Sequence, residues 1–389
     1  MRALLTTIGS RGDVQPLVAL ATRLIQAGHE ARLCVPPDLR DWIEGLGFPV
    51  TPLGLGQRGT GVVDWPPRDM RSSPERLREL VEAAVAEEFT TIAAAACGCD
   101  VILAAAGRRP IAARSVAEAL GIRYVCAAFS PLHLPSLEFP ADRFNDTFGP
   151  PLNRHRAAAG LAPVRDVRGH IFTTTPWLAA DPVLSGSPGR AGYDVVQAGA
   201  WILPDERPLG PELEAFLRAG EPPVYFGFGS MKMPSHLAQD IALAARRTGR
   251  RAIISAGWAD LTLTGSQPGC LVIGEVNHHA LFRQVAAVVH HGGAGTTTTT
   301  ALAGVPQVVV PQFFDQGYWA RRVGELGIGV AHEHGTPTAD SLIAALRLAL
   351  QPAVTERARS LSAVVTTGGA QGAAADLVAL AALPESARS

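Results

Sequence analysis

The segment Ala287–Thr297 constrains this chain more than any other. An apolar run, Ala287-Val288-Val289, stops at His290-His291. The chain then turns through Gly292-Gly293-Ala294-Gly295 into Thr296-Thr297 and a small-residue stretch ending at Gly304-Val305-Pro306. That order reads as strand, tight loop, helix. A helix entered through glycine leaves its first N–H groups unpaired and puts the positive end of its dipole at the turn, so an anion is the natural ligand. His291 adds a side-chain donor, and Thr296 and Thr297 add hydroxyls, which suits a diphosphate better than a single carboxylate. A plain strand-to-helix turn with N-capping threonines would leave the same pattern.

A second loop of this kind lies near the N-terminus. Ala3–Gly9 reads as a short strand, Ser10-Arg11-Gly12-Asp13 as a turn, and Pro16 as the opening of an amphipathic helix that closes at Ala27-Gly28. Both loops fall at the carboxyl ends of strands, where open α/β sheets bind ligands. Asp13 fits two roles, a helix-start carboxylate favoured by the dipole or a general base beside a phosphate.

Strand-like runs alternate with helical ones over the whole chain. Ala3–Gly9, Glu30–Pro36, Pro49–Leu53, Asp100–Ala106 and Tyr124–Phe129 form one series. Val224–Phe228, Ala252–Ser255, Leu271–Val276, Ala287–His290, Val308–Val310 and Gly329–His332 form another, whose first member ends in the turn Gly227-Phe228-Gly229-Ser230. Such alternation predicts α/β domains with parallel sheets. The Pro-rich, charged stretch Leu203–Pro211 reads as a linker, giving domains over 1–204 and 205–389. A helix near the C-terminus, after Gly368-Gly369, is a candidate to fold back over the first domain. Gln57–Pro74 and Ser130–Asn153 lack periodicity and read as long surface or binding loops.

Composition narrows the function classes. At 389 residues with 47% hydrophobic content the chain can fill two cores. Its formal net charge of −1 carries no footprint for nucleic acid. Five cysteines, Cys34, Cys97, Cys99, Cys126 and Cys270, are odd in number and lack metal-site spacing, which reads as free thiols in a reducing compartment. No apolar run is long enough to span a bilayer, and Met1-Arg2-Ala3-Leu4-Leu5 runs straight into a strand, so a cytoplasmic protein is expected.

Several motifs, in order, carry a family resemblance: Gly9–Asp13, Ala179–Leu184, Gly199–Leu209, Gly257–Leu261, Gly274–His278 and His290–Thr297. Together they resemble the bacterial glycosyltransferases that decorate glycopeptide antibiotic aglycones, which are inverting, nucleotide-sugar-dependent enzymes of the GT-B fold. The likeness is weakest over Gln57–Pro74 and Ser130–Asn153, the acceptor-facing loops of such enzymes.

The resemblance implies two Rossmann-like domains facing across a cleft, the first for the acceptor and the second for the nucleotide sugar. It makes Asp13 the general base and His291 the catalytic partner at the leaving diphosphate. Gly292, Gly293, Gly295, Thr296 and Thr297 match the diphosphate motif, with Ser10, Arg11 and Ser230 closing that site. Trp258, Val276 and Asn277 fall where relatives hold the pyrimidine base. Asp315 and Gln316 align with an acidic-amide pair on the sugar hydroxyls, which favours a hydroxyl-rich hexose; capping of the next helix is the other use open to Asp315. The chain has no Asp-x-Asp pair, so no metal and no cofactor beyond the UDP- or TDP-sugar is expected. The expected partners are that donor and a natural-product aglycone, glycopeptide first, with polyketide or sterol as alternatives; the protein is expected to be a monomer. A nucleotide-sugar epimerase or a non-catalytic partner protein are the rivals from other classes.

Overall fold

A computed structural model describes residues 1–56, 73–105, 110–134, 141–187, 192–231, 233–257, 261–263, 265, 267–333 and 335–383. The chain divides into two compact units.

The first unit comprises Met1–Ala180, Ser187–Leu203 and Thr367–Ser389. Its seven strands are β1 (Arg2–Thr6), β2 (Glu30–Val35), β3 (Val50–Pro52), β4 (Val101–Ala105), β5 (Arg123–Ala128), β6 (Trp177–Leu178) and β7 (Val196–Gln197). They pair in the order β3-β2-β1-β4-β5-β6-β7, all parallel. Successive residues of β1 feed opposite faces. Leu5 packs with Leu33 and Leu103 on one side, while Leu4 packs with Cys34 and Ile102 on the other. A sheet covered on both faces needs continuous apolar strands, and β1 and β4 have them. β6 and β7 are two residues each, too short to show any periodicity, and exist because β5 offers an edge to pair with.

The C-terminal helix Gly369–Ala382 belongs to this unit. It buries Ala370, Ala373, Ala374 and Leu377 in the core cluster shared with Val14, Leu17, Val18 and Leu24 of the helix Arg11–Gln26. The spacing i, i+3, i+4, i+7 forms one helical stripe, and its alanines let two helices approach closely.

The second unit comprises Asp181–Gly186 and Pro204–Thr366. Its strands are β8 (Val224–Gly227), β9 (Ala252–Ser255), β10 (Cys270–Ile273), β11 (Ala287–His290), β12 (Gln307–Val309) and β13 (Gly329–Ala331), parallel in the order β10-β9-β8-β11-β12-β13. The direction of winding reverses between β8 and β11, which brings the turns after these two strands side by side.

Three local features depart from the sequence reading. The N-terminal helix begins at Arg11, not Pro16, because Ser10 and Asp13 close its first turn and leave Pro16 inside. Residues 141–153, part of the stretch Ser130–Asn153 expected to be irregular, belong to a helix, Ala141–Ala158, despite Pro150 and Pro151. Phe144, Phe148 and Leu152 lie one helical turn apart and join a core cluster with Val81 and Val85, burial that outweighs the backbone donors lost to proline. Residues 181–186, placed by sequence in the first domain, pack in the second unit.

The five cysteines carry no disulfide. No helix among the described residues is long and apolar enough to cross a membrane.

Candidate active site

In the first unit the chain leaves β1 and enters the helix Arg11–Gln26 through Gly9-Ser10. Asp13 sits in the first turn, and its Oδ2 accepts the Ser10 N–H at 2.7 Å and the Ser10 hydroxyl at 3.2 Å. The carboxylate is thereby held at a fixed position beyond the carboxyl end of β1, an interior strand of the sheet. A Cβ on residue 9 would collide with that carboxyl, so the fold of this turn requires glycine there. Ser10 spends its hydroxyl on Asp13, and the Arg11 guanidinium lies 4.3 Å from the Trp42 ring centroid. Both side chains, expected at the phosphate, thus have partners within their own unit.

In the second unit, the turn Gly227-Phe228-Gly229-Ser230 after β8 and His291 after β11 come together because the two strands are neighbours, with Gly229 as the residue against the ring. The His291 ring lies against both turns. A Cβ on Gly229 would come 3.0 Å from its Cε1, and one on Gly293 would come 2.7 Å from its Nε2. Its Nδ1 is buried with no hydrogen-bond partner among the described residues. Burial drives the His291 pKa down to about 4, against the opposing pull of the Asp315 carboxylate and of the Gly227 backbone carbonyl near the ring. The ring is therefore a neutral donor near pH 7.

Gly293 caps the helix Ala294–Ala303, and no side chain bonds the cap. The N–H groups of Ala294, Gly295 and Thr296 therefore have no acceptor within the helix, and they point out of its start. The helix dipole adds its positive end. Gly295 is exposed and Thr296 half-buried at this mouth. Thr297 differs from expectation: its hydroxyl turns back to the Gly293 carbonyl at 3.0 Å, since a buried threonine in a helix satisfies its hydroxyl on the preceding turn. Gly292 differs too, because its N–H donates to His290 Nδ1 at 3.1 Å. Its φ of +94° and its closeness to Val309 and to the Gln316 carbonyl exclude any side chain.

Trp258 lies outside the described residues. Val276 sits in the loop after β10, with no hydrogen bond to its main chain among the described residues. The Asn277 side chain is fully used. Its Oδ1 accepts the Ala280 N–H, and its Nδ2 donates to the carbonyls of Asp205 and Arg207, both at 2.8 Å. It anchors the linker rather than facing outward.

Asp315 precedes the helix Gln316–Glu325 and accepts the Trp319 indole N–H at 2.9 Å. Gln316 is buried, its Oε1 accepting the N–H groups of Gln312 and Phe313 and its Nε2 reaching Met231 Sδ. It braces the loop that presents Asp315. His290 was not among the expected site residues, although a polar residue closing one apolar strand, followed by a second, Gln307, opening the next, is a signal that could have marked it.

The chain matches the erythromycin biosynthesis protein CIII-like C-terminal domain over residues 252–379 and the glycosyltransferase family 28 N-terminal domain over residues 3–135. It is 48% identical to glycosyltransferase GtfE of Amycolatopsis orientalis, covering 97% of each chain. It is 46% identical to the vancomycin aglycone glucosyltransferase of that organism, covering 96% of each. It is also 46% identical to its dTDP-epi-vancosaminyltransferase, covering 93% of each. Among solved structures, spinosyn forosaminyltransferase SpnP superposes with a TM-score of 0.74 at 20% identity, covering 98% of this chain and 100% of that one. Glycosyltransferase VinC in complex with dTDP gives 0.69 at 22% identity, covering 98% and 99%. Two parallel α/β sheets with this likeness make the fold GT-B, and identity of this level over nearly the whole length places the chain in the family of the vancomycin-group glycosyltransferases.

Proposed function

We propose that this glycosyltransferase moves a hexose from a UDP- or TDP-sugar to a hydroxyl of a natural-product aglycone, a glycopeptide first, with inversion at the anomeric carbon and no metal ion. The observation that carries this reading is the uncapped start of the helix Ala294–Ala303 beside the neutral His291 ring. Those groups offer a diphosphate several N–H donors whose geometry is set before charge develops. Such donors act chiefly on the transition state, and they supply what a cation would otherwise provide. The named activities of the Amycolatopsis relatives support the substrate classes.

Asp13 accepts the proton of the acceptor hydroxyl as its oxygen bonds to the anomeric carbon. The nucleoside diphosphate leaves from the opposite face, so one displacement inverts the centre. General-base help of this kind contributes about 10²–10⁴-fold. In this reading residues 1–204 select the acceptor and residues 205–389 the donor, apart from 181–186, which belong to the second unit, and 367–389, which belong to the first. Asp315 meets the sugar hydroxyls, and Gln316 holds it in place. The main chain of Val276 is available to the edge of a pyrimidine.

The test is a mass-spectrometric transfer assay with purified protein, UDP- and TDP-sugars, and peptide, polyketide and steroid aglycones, run with and without chelator. Transfer to a glycopeptide aglycone, unaffected by chelator and giving the inverted anomer, is expected. Activity lost to chelator and restored by magnesium would refute the metal-free mechanism.

A further inference from the structure

β11 and β12 are apolar except for one residue each, His290 at the end of the first and Gln307 at the start of the second. Both are fully buried. Burying two polar side chains is costly unless each hydrogen bond is replaced, and here each is. His290 Nδ1 takes the Gly292 N–H at 3.1 Å, and His290 Nε2 lies 2.9 Å from Gln307 Oε1. Because Nδ1 accepts, the ring proton sits on Nε2 and is donated to Gln307. Gln307 Nε2 then donates to the Thr297 carbonyl at 3.2 Å. One continuous relay thus runs from the backbone at 292 to the helix at 297. It brackets His291 on one side and the unpaired N–H groups of 294–296 on the other. Burial also holds the His290 pKa down to about 3, so the relay keeps its neutral tautomer across the working pH range.

We propose that His290 is the positioning residue of the diphosphate site: by accepting the Gly292 N–H it fixes the turn that aims His291 and the helix start at the leaving group. This rests on reading that turn as the diphosphate site. His290 does not touch the nucleotide; it acts through Gly292 and the backbone on either side.

Two isosteric variants separate this role from simple stabilisation. In His290→Asn the side-chain oxygen takes the place of Nδ1, so the Gly292 bond survives while the link to Gln307 is lost. In His290→Gln the distal amide reaches the place of Nε2, so the Gln307 link survives while Gly292 is left without its acceptor. Both should lower the unfolding temperature, whereas affinity for TDP and UDP should divide them. Calorimetry on the full chain should find His290→Asn within about twofold of wild type and His290→Gln weakened about tenfold, the usual effect of stranding one buried donor. Equal affinities in the two variants, whether both retained or both reduced, overturn the positioning role. His291→Ala tests the underlying reading separately, because full TDP affinity in that variant would mean the turn is not the diphosphate site at all. Amide exchange in the wild type provides a measurement that needs no variant to fold: Gly292 should exchange slowly, and exchange as fast as an exposed turn overturns the proposal.

Discussion

Arg322 Nε donates to the carbonyl oxygen of Leu184 at 2.9 Å, joining the helix Gln316–Glu325 to a segment 138 residues earlier in the chain. Arg322 also reaches the Val183 carbonyl, and the Tyr318 hydroxyl donates to that of Ser185. Asp181 completes the attachment by capping its own short helix through Oδ1 and taking the Thr366 N–H and hydroxyl through Oδ2. A piece of the first half of the sequence is therefore built into the second unit, against the helix that Asp315 precedes.

That attachment changes how a domain exchange should be cut. A chimera joined at Pro204 with a relative's second half should keep its acceptor and adopt the relative's sugar nucleotide. Carrying residues 181–186 along with the second half should make it more stable by about 1–3 kcal/mol where the relative lacks a match to Arg322 or Tyr318, since buried partners are otherwise stranded. Paired denaturant titrations of the two chimeras measure this. Equal stability would show the segment to be passive.

Asp13 closes the first turn of its helix and, in the proposed mechanism, also accepts the acceptor's proton, and two substitutions separate these roles. Asp13→Asn keeps an oxygen for the Ser10 N–H, so its unfolding temperature should stay near wild type while turnover drops by about 10²–10⁴. Asp13→Ala should lose the same turnover and also about 1 kcal/mol of stability through the lost cap. Wild-type turnover in the asparagine variant would remove Asp13 from the chemistry.

Asp315 needs similar care because it holds the Trp319 indole. Asp315→Asn preserves an acceptor for that N–H, whereas Asp315→Ala strands it. In the asparagine variant, transfer of a hydroxyl-rich hexose should fall while affinity for bare TDP or UDP stays within about twofold, loss of a charged hydrogen bond being about 1.5–3 kcal/mol. If nucleotide affinity and transfer fall together, Asp315 supports the nucleotide site rather than the sugar.

Stability should depend on pH from both sides. Burial lowers His170 and His290 to about 3 and His291 to about 4, below the ordinary 6.5. The unfolded chain then binds protons that the folded chain refuses, so their contribution is complete above pH 6.5 and is lost as pH falls toward 3. Glu88 behaves oppositely. Burial raises it from 4.5 to about 8, although it accepts the Ala112 N–H at 3.0 Å. Its contribution is complete below pH 4.5 and is lost as pH rises through 8. Glu88→Gln should therefore exceed wild type in stability at pH 9, by a margin that shrinks toward pH 5. A margin independent of pH would mean that Glu88 is ionised in the folded protein.

The sequence by itself determined the two α/β halves, because β-branched runs punctuated by glycine turns and amphipathic helices specify parallel strands locally. It also located the candidate anion site at Gly293–Thr296, since a helix start exposes its N–H groups wherever it occurs. Tertiary structure decided what the remaining polar groups do. Thr297, Asn277 and Gln316 carry side chains that suit a ligand, yet each is turned inward to satisfy a backbone group, and only the packing around it shows which partner is nearer. The proline-bearing helix 141–158 forms because Phe144, Phe148 and Leu152 find a core to enter, a long-range gain that local propensity does not contain. His290 was legible only as a strand end. Its link through Gln307 to Thr297 exists because β11 and β12 lie side by side, and that pairing brings together residues that the chain keeps 17 positions apart.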